Sequence, residues 1–323
     1  MTHRFIRRLI WSIVAAVVGY FLTIVFIGAE ETLENLIRVP PTGLLFILFL
    51  SLLNYVLRFL RWHWYISSMD DRVPFGRHLL FYLAGLGLTT TPAKAGETIR
   101  SVYLSAYGVA YSNSIAALVV ERFADMIAIA LLSTLALTQT DGYLGWVTLA
   151  LAAASGLIIV LRTERARERL QDWLNRLRIP GLRAATAAGG KMLHAAAGLL
   201  SGPLVAGGML IGILAWGAEA VAFFFIAGYL GFEISVTMAM GIYSLSVLIG
   251  ALSFIPGGLG STEATMGLLL ISAGAEPSVA ISATVLCRVT TLWFGVAIGL
   301  GAIAALELTS NGLTASNNRL GEA

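Results

Sequence analysis

The chain has 323 residues, of which 58% are hydrophobic and only 12% charged, with a formal net charge of +3. An ordinary soluble domain carries roughly 25% charged residues, and several apolar runs here exceed the ~20 residues that cross a hydrocarbon layer as a helix. These values exclude a soluble fold and predict an all-α polytopic membrane protein, a single integral-membrane domain over residues 1–323. No basic groove interleaved with aromatic residues accompanies the charge, so nucleic acid is not an expected partner.

Hydropathy predicts about six full spans, near residues 9–29, 43–66, 114–138, 143–161, 203–229 and 278–306. The first run follows three arginines and superficially resembles a signal peptide, but its length and the lack of a small-residue cleavage site favour a retained span. Two further apolar regions, 78–107 and 236–273, are interrupted by Pro and Gly. Their flanking segments are in several cases too short to cross alone.

Basic residues orient the spans, because cytoplasmic loops carry an excess of Lys and Arg. Arg4, Arg7 and Arg8 precede the first span, and eight bases lie within residues 162–199. Both ends and the loop 162–199 are therefore expected in the cytoplasm, with the protein in the cell inner membrane. Six full spans place both ends in the cytoplasm only if each interrupted region enters and leaves the membrane on the same side. Residues 78–107 would then enter from the cytoplasm and residues 236–273 from outside, as two broken re-entrant helical pairs.

The two interrupted regions share a pattern that indicates an inverted repeat, with half-repeats near 43–138 and 203–306. The matching residues are Pro92, Gly96, Glu97 and Arg122 in the first half, and Pro256, Gly260, Glu263 and Arg288 in the second. Inverted repeats whose broken helices meet near the midplane are a transporter architecture. Chance is the alternative, since Pro and Gly are common in membrane helices.

Charged side chains inside membrane segments are expensive, so each one is a candidate functional residue. They are Arg58, Arg61, Lys94, Glu97, Arg100, Glu121, Arg122, Asp125, Glu219, Glu263 and Arg288. The near balance of acids and bases predicts that many pair with each other, and a buried ion pair is the favoured interpretation for those of residues 121–125. For Arg58 and Arg61, three apart on one face, the alternative is snorkelling beside an interfacial Trp62 and Trp64. Snorkelling explains Arg61 better than the deeper Arg58.

The first interruption carries cations after a helix breaker. A helix that restarts after Pro92 exposes free backbone N–H groups, and together with Lys94, Gly96 and Arg100 these favour an anion such as a phosphate. The alternative is an ordinary cytoplasmic turn.

The second interruption is rich in glycine, at Gly257, Gly258 and Gly260, directly after Pro256. Glycines let backbone approach backbone or ligand closely, and irregular backbone at membrane depth must be buried or line a wet cavity. Ser261 or Thr262 is predicted to cap the next helix. Glu263, in its first turn, is interpreted as a functional carboxylate, with plain capping as the alternative.

The remaining signals are weak. Three glycine pairs, 198/202, 208/212 and 295/299, fit helix packing through small residues. The histidines lack metal-ligand spacing, and the sequence has no phosphate-binding loop for ATP. We therefore expect no cofactor, and any active transport would draw on an ion, proton or lipid gradient.

The motifs together resemble the flippase-like membrane domain family, which occurs fused to lysylphosphatidylglycerol synthases and also free-standing. They are Arg58-x-x-Arg61-Trp62, Pro92-x-x-x-Gly96-Glu97-x-x-Arg100, Glu121-Arg122-x-x-Asp125, Pro256-Gly257-Gly258-x-Gly260-x-x-Glu263 and Arg288. The resemblance implies a domain that translocates aminoacylated phosphatidylglycerol in fused members, or handles polyprenyl-linked glycan or hopanoid lipid in free-standing ones. Without a synthase domain, this chain is not expected to make the lipid.

Three functions remain open from the sequence. The leading one is a lipid translocase whose membrane lipid substrate bears an anionic or phosphate-containing head group; whether an ion gradient drives it is left open by the sequence. The second is an accessory or scaffold subunit of a lipid or cell-envelope glycan synthesis complex, with lipid-synthesis enzymes as partners. The third is an integral-membrane lipid-modifying enzyme, which is disfavoured because no nucleophile or metal cluster is found.

Overall fold

The computed structural model describes residues 34–69, 71–91, 96–137, 163–165, 168–169, 172, 191–192, 194–200 and 202–321. Its principal helices are α1 (Pro41–Ser67), α2 (Phe75–Leu86), α3 (Ile99–Ser105), α4 (Tyr111–Ser133), α5 (Gly202–Tyr229), α6 (Val236–Leu252), α7 (Ser261–Ser272), α8 (Pro277–Arg288) and α9 (Phe294–Gly321). The predicted spans 9–29 and 143–161, most of the loop 162–199, and the candidates Pro92 and Lys94 lie outside the described residues.

Three helical stretches in the described part are long and apolar enough to cross a membrane: Pro41–Ser67, Gly202–Tyr229 and Pro277–Leu308. They match the spans predicted at 43–66, 203–229 and 278–306. Helix α4, extended by the 3₁₀ turn Thr134–Leu137, covers the span predicted at 114–138. Three charged residues in its middle keep α4 out of the strongly apolar set.

Both interrupted regions form short helices on either side of a break, as the sequence predicts. Helices α2 and α3 have 12 and 7 residues, whereas ~20 are needed to cross the hydrocarbon core. Between α6 and α7 the backbone takes positive φ at Phe254 (55°), Gly257 (63°), Gly258 (65°) and Gly260 (85°). The glycines adopt this conformation without a Cβ clash, so they permit the turn that separates the two helices.

The order of long helix, short helix, break, short helix and long helix occurs twice along the described chain. The first set is α1 to α4, and the second is α5 to α9, in which α8 runs into α9 through a π-helical turn at Val289–Trp293. The sets exchange contacts: α1 packs against α5, α2 packs against α9, and α6 packs against α4. Helices of each set therefore pack against helices of the other set.

The hydrophobic core forms two clusters, and the buried charges lie between them. One cluster surrounds Phe223, and the other surrounds Trp62. Along α4 the side chains pass from the second cluster at Val120 to the first at Ala128, with the charged residues in between. The charged groups are therefore concentrated in one layer, where they contact each other and the aromatic side chains at its edge, such as Trp62 and Tyr82 beside Arg100.

Close helix crossings explain two of the three glycine pairs. A Cβ on Gly299 of α9 would collide with the backbone of Gly87, just after α2. A Cβ on Gly208 of α5 would likewise meet the Tyr65 ring of α1. No described residue lies within 4 Å of a Cβ built on Gly198 or Gly202, so the packing interpretation of that pair stays a prediction.

A buried charge network beside a candidate binding cavity

The packing of α1 against α4 places charged side chains of the two helices against each other. Arg58 and Arg61 are three residues apart on α1, and Glu121 and Asp125 are four apart on α4, so each pair shares one helix face. Glu97, in the turn before α3, and Arg100, in the first turn of α3, join the same network. Except for Arg122, whose side chain is 23% exposed, these groups are almost fully removed from solvent.

Glu121 is the centre of the network. Its carboxylate, with 0% exposure, lies 2.9 Å from Arg122, 3.0 Å from Arg100, and 3.7 Å from both Arg58 and Arg61. Four guanidinium groups thus surround one carboxylate. This arrangement bridges α1, α3 and α4, as an ion pair that holds helices together would.

Asp125 is the second carboxylate at the contact between α1 and α4. It lies 2.5 Å from Arg61, 3.1 Å from Arg122 and 3.3 Å from Arg58. The ion pairs expected of the 121–125 segment are therefore present. With Glu97 the network holds three acids against four arginines, a formal excess of one positive charge.

The snorkelling interpretation of Arg61 is wrong. The side chain is 0% exposed, and its Nη2 binds Asp125, because the long-range partner on α4 satisfies the charge inside the protein. Trp62 does not lie in an aromatic belt either, since it is fully buried with the Arg100 guanidinium 5.2 Å from its ring. Trp64, at 38% exposure, remains compatible with that belt.

The sequence suggested that Arg100 offers its charge to an anion at the start of the helix, but this charge is already paired. Its Nη1 binds Glu121 at 3.0 Å, its Nη2 binds Glu97 at 3.1 Å, and its guanidinium lies 4.1 Å from the Tyr82 ring centre. The backbone N–H of Gly96 donates to Thr91 Oγ1 at 2.6 Å. These partners occupy groups that the sequence analysis assigned to phosphate.

A separate ion pair closes the second interruption. Arg288 Nε lies 2.6 Å from Glu263 Oε1, and Arg288 Nη2 donates to the Gly257 carbonyl at 2.6 Å. Glu263 Oε2 also accepts from the Gly260 N–H at 2.7 Å. Glu263 therefore both caps α7 and binds the arginine of the matching position on α8.

The predicted caps of α7 are wrong. Gly260 is the N-cap residue, and the reach of Glu263 back to its N–H replaces a side-chain cap. Ser261 instead donates to the Gly258 carbonyl at 3.1 Å. Thr262 is buried beside Gly258. A Cβ on Gly258 would lie 2.7 Å from the Thr262 hydroxyl, so the absence of a side chain at Gly258 makes room for Thr262.

The tips of the two interruptions approach each other. A Cβ on Gly257 would lie 3.4 Å from Thr90 Cγ2, and the neighbouring Thr89 hydroxyl donates to Glu97 at 3.1 Å. The sequence prediction that the paired breaks point to one place is thus consistent with the geometry of the described residues at both tips.

A cavity of about 290 Å³ opens at this meeting point. Of the candidate substrate-binding residues, seven line it: Arg58, Arg122, Asp125, Glu219, Gly257, Gly258 and Arg288. Eight described ones do not: Arg61, Gly96, Glu97, Arg100, Glu121, Pro256, Gly260 and Glu263. The latter group contains partners that hold the lining charges in place. Each half of the chain supplies part of the wall.

Sequence reasoning missed the aromatic part of the wall. Tyr55 lies three residues before Arg58 on α1, and Trp216 lies three before Glu219 on α5, so each shares a helix face with a charged lining residue. This spacing was the available signal. Tyr243 of α6 completes the aromatic wall, and its hydroxyl donates to the Glu219 carboxylate.

Local helix distortion adjoins the cavity at Arg288. The π-helical turn Val289–Trp293 follows it directly, and the Tyr55 hydroxyl donates to the carbonyl of Thr291 within this turn. π-Turns of this kind are frequent at functional sites. In the described part of the chain no three His, Cys, Asp or Glu side chains cluster closely enough to hold a metal ion.

Long apolar helices around a layer of buried charges define a multi-pass helical membrane protein. The sequence matches the family described as the lysylphosphatidylglycerol synthase TM region over residues 9–299, and the chain belongs to that family. It is 27% identical over 318 residues to a UPF0104 membrane protein of Methanothermobacter thermautotrophicus, covering 90% of this chain and 93% of the relative. It is 20% identical over 327 residues to a UPF0104 membrane protein of Pyrococcus horikoshii, covering 88% and 93%.

Proposed function

We propose that this protein is a lipid translocase that moves a phospholipid or lipid-linked group between leaflets, and that an ion gradient drives the movement. The observation that supports it is the cavity between the two halves. Charged groups from both halves line it, although the surrounding helices are apolar. Charges at membrane depth are costly and mark substrate pathways.

The mixed lining suits a polar head group that travels with its apolar chains left in lipid. Arg58, Arg122 and Arg288 supply positive charge, and Asp125 and Glu219 supply negative charge. An anionic or phosphate-bearing head group matches the arginines, because guanidinium groups bind phosphate oxygens with directed hydrogen bonds. The substrate in this proposal is a membrane lipid of that class.

The exchanged packing of the halves supports the proposed inverted repeat. Helix α2 packs against α9 while α6 packs against α4, which is the reciprocal contact that a pseudo-twofold axis produces. In the proposed topology six spans and two re-entrant pairs lie in the inner membrane, and both termini face the cytoplasm. The tips of the re-entrant pairs then meet near the midplane, where transporter sites of this architecture lie.

We also propose that Glu97 and Glu263 couple transport to charge movement. Neither lines the cavity, but each contacts an arginine that does: Glu97 lies 3.7 Å from Arg122, and Glu263 lies 2.6 Å from Arg288. Protonation of Glu263 would weaken the ion pair that holds Arg288. Protonation of Glu97 would remove one of three acidic contacts of Arg122, whose contacts to Glu121 and Asp125 stay in place. Either change would make a lining arginine more available to the substrate.

The test is lipid movement in liposomes that carry the purified protein and trace fluorescent lipids of several head-group classes. The wild type is expected to accelerate exchange of phosphate-bearing lipids over protein-free liposomes. Arg288→Gln should abolish the acceleration because it removes a lining charge. Arg72→Gln, at an exposed position between α1 and α2, is the matched control and should retain it. Equal rates with and without the wild-type protein, for every head group, would refute the proposal.

A further inference from the structure

Three hydrogen-bond donors on the cavity wall have no partner within the described residues. They are Arg58 Nε, Arg122 Nε and Trp216 Nε1, and all three belong to lining residues. Arg58 Nη2 and Asp125 Oδ2 also make no hydrogen bond within the described residues, but they face each other at 3.3 Å as an ion pair. Arg58 is 5% exposed and Trp216 is 6% exposed. A buried donor without an acceptor is destabilising, because it loses its hydrogen bonds to water and gains none in return. Three in one cavity therefore indicate acceptors supplied by something that enters it.

The ion pairs of these arginines leave the Nε groups available. Arg58 contacts Asp125 and Glu121 through Nη2, at 3.3 and 3.7 Å. Arg122 likewise contacts Glu121 and Asp125 through Nη2, at 2.9 and 3.1 Å. The acids thus approach each guanidinium at one nitrogen, by a hydrogen bond for Arg122 and by charge proximity alone for Arg58. Within the described residues the Nε of each arginine has no acceptor.

Trp216 is held in register with Arg58. The Arg58 guanidinium carbon lies 5.1 Å from the centre of the Trp216 ring, within the range of a cation–π contact. The backbone carbonyl of the preceding Ala215 accepts from Asn54 at 2.9 Å. Since Asn54 lies one turn before Arg58 on α1, this hydrogen bond fixes α5 against α1 and sets the two side chains side by side.

Other donors without partners do not compete for this role. Arg61 Nε and Arg100 Nε also have no acceptor in the described part, but neither residue lines the cavity. Arg100 is sandwiched by aromatic rings, with its guanidinium 4.1 Å from Tyr82 and 5.2 Å from Trp62. A ligand in the cavity would meet the donors of Arg58, Arg122 and Trp216 instead.

We infer that Arg58 Nε, Arg122 Nε and Trp216 Nε1 form a subsite for a phosphate oxyanion. A phosphate group offers several acceptor oxygens on one centre, which suits three donors on three neighbouring helices: Arg58 on α1, Arg122 on α4 and Trp216 on α5. Two of the donors carry positive charge, which strengthens the hydrogen bonds to an anion. The indole supplies a neutral donor and a flat surface. The lipid occupant rests on the proposed function, whereas phosphate recognition by these donors stands independently of it.

The test is calorimetric binding to purified protein in detergent with three probes: dihexanoyl phosphatidylglycerol, dihexanoylglycerol and inorganic phosphate. The wild type should bind the phosphate lipid at least about ten-fold more tightly than the neutral lipid. Trp216→Phe should weaken only the phosphate lipid, by roughly ten-fold, because a hydrogen bond to a charged group is lost. Arg58→Lys should do the same, since lysine keeps the charge and removes Nε. Trp64→Phe, an exposed tryptophan away from the cavity, should bind like the wild type.

The outcomes separate the sources of phosphate and the two proposals. If inorganic phosphate displaces the lipid and Trp216→Phe reduces this competition, phosphate itself is recognised. If only the lipid binds and is weakened by Trp216→Phe, the subsite serves a lipid head group. Unchanged affinity of Trp216→Phe for the phosphate lipid, or equal weakening for both lipids, would overturn the subsite. Selective binding without lipid movement in liposomes would retain the subsite and refute the translocase.

Discussion

Removal of the charge of Glu121 tests whether the network holds the helices together. Glu121→Gln preserves shape but leaves four arginines facing Glu97 and Asp125, so the formal excess of positive charge rises from one to two. The carboxylate is 0% exposed and contacts Arg122 and Arg100 at 2.9 and 3.0 Å. Removing one partner of such a buried pair costs about 3–5 kcal/mol, because the remaining charge stays desolvated. The variant should be destabilised by that amount.

The single cysteine of the chain provides the assay. Cys287 is buried, so a thiol-reactive fluorescent dye reports thermal unfolding in detergent. With roughly 2–4 °C per kcal/mol for a medium-sized domain, the melting temperature should fall by at least ~6 °C. Glu276→Gln, an exposed carboxylate, is the control and should stay within about 0.5 kcal/mol of the wild type. A melting temperature of Glu121→Gln equal to that of the control would refute the reasoning.

A double-mutant cycle with Arg100→Gln extends the test. If the 3.0 Å contact between Arg100 and Glu121 contributes a pairwise interaction, the double variant should be more stable than the sum of the single losses predicts, by about 0.5–3 kcal/mol. Strict additivity would show that the two side chains act independently.

The remaining predictions concern the interruption, the coupling carboxylate and the topology. Gly258→Leu should fail to give monodisperse folded protein, because φ is 65° and a Cβ would lie 2.7 Å from the Thr262 hydroxyl. The control Gly267→Leu, where no described residue lies within 4 Å of the added Cβ, should purify normally. Normal transport by Gly258→Leu would contradict this prediction. Glu263→Gln should melt near the wild type, because the Glu263 side chain is 17% exposed. The same variant should lose pH-dependent lipid movement. Transport equal to that of the wild type at every pH would remove Glu263 from the mechanism. In a background in which Cys287 is replaced, an impermeant thiol reagent added from outside should label Thr32→Cys and should not label Ser201→Cys. Labelling of both variants from outside would refute the proposed topology.

The sequence determined the parts of the fold that depend on composition and local order. Apolar length predicted the helices at Pro41–Ser67, Gly202–Tyr229 and Pro277–Leu308, because a helix that must satisfy its own backbone in lipid needs a continuous apolar run. Proline and glycine predicted the breaks, because they disfavour helix locally. The cost of burying charge indicated which polar residues require partners.

Only the tertiary structure decided which partners those are. Helix period places Arg58 and Arg61 on one face, but nothing local shows that this face meets Asp125 on α4 rather than the membrane surface. Snorkelling therefore stayed open as the alternative for Arg61. The same limit hid Trp216, whose indole is a core side chain by composition and becomes a cavity wall through the contact between α1 and α5. Local sequence fixes the direction of a side chain on its own helix, whereas its environment depends on packing between helices more than 60 residues apart.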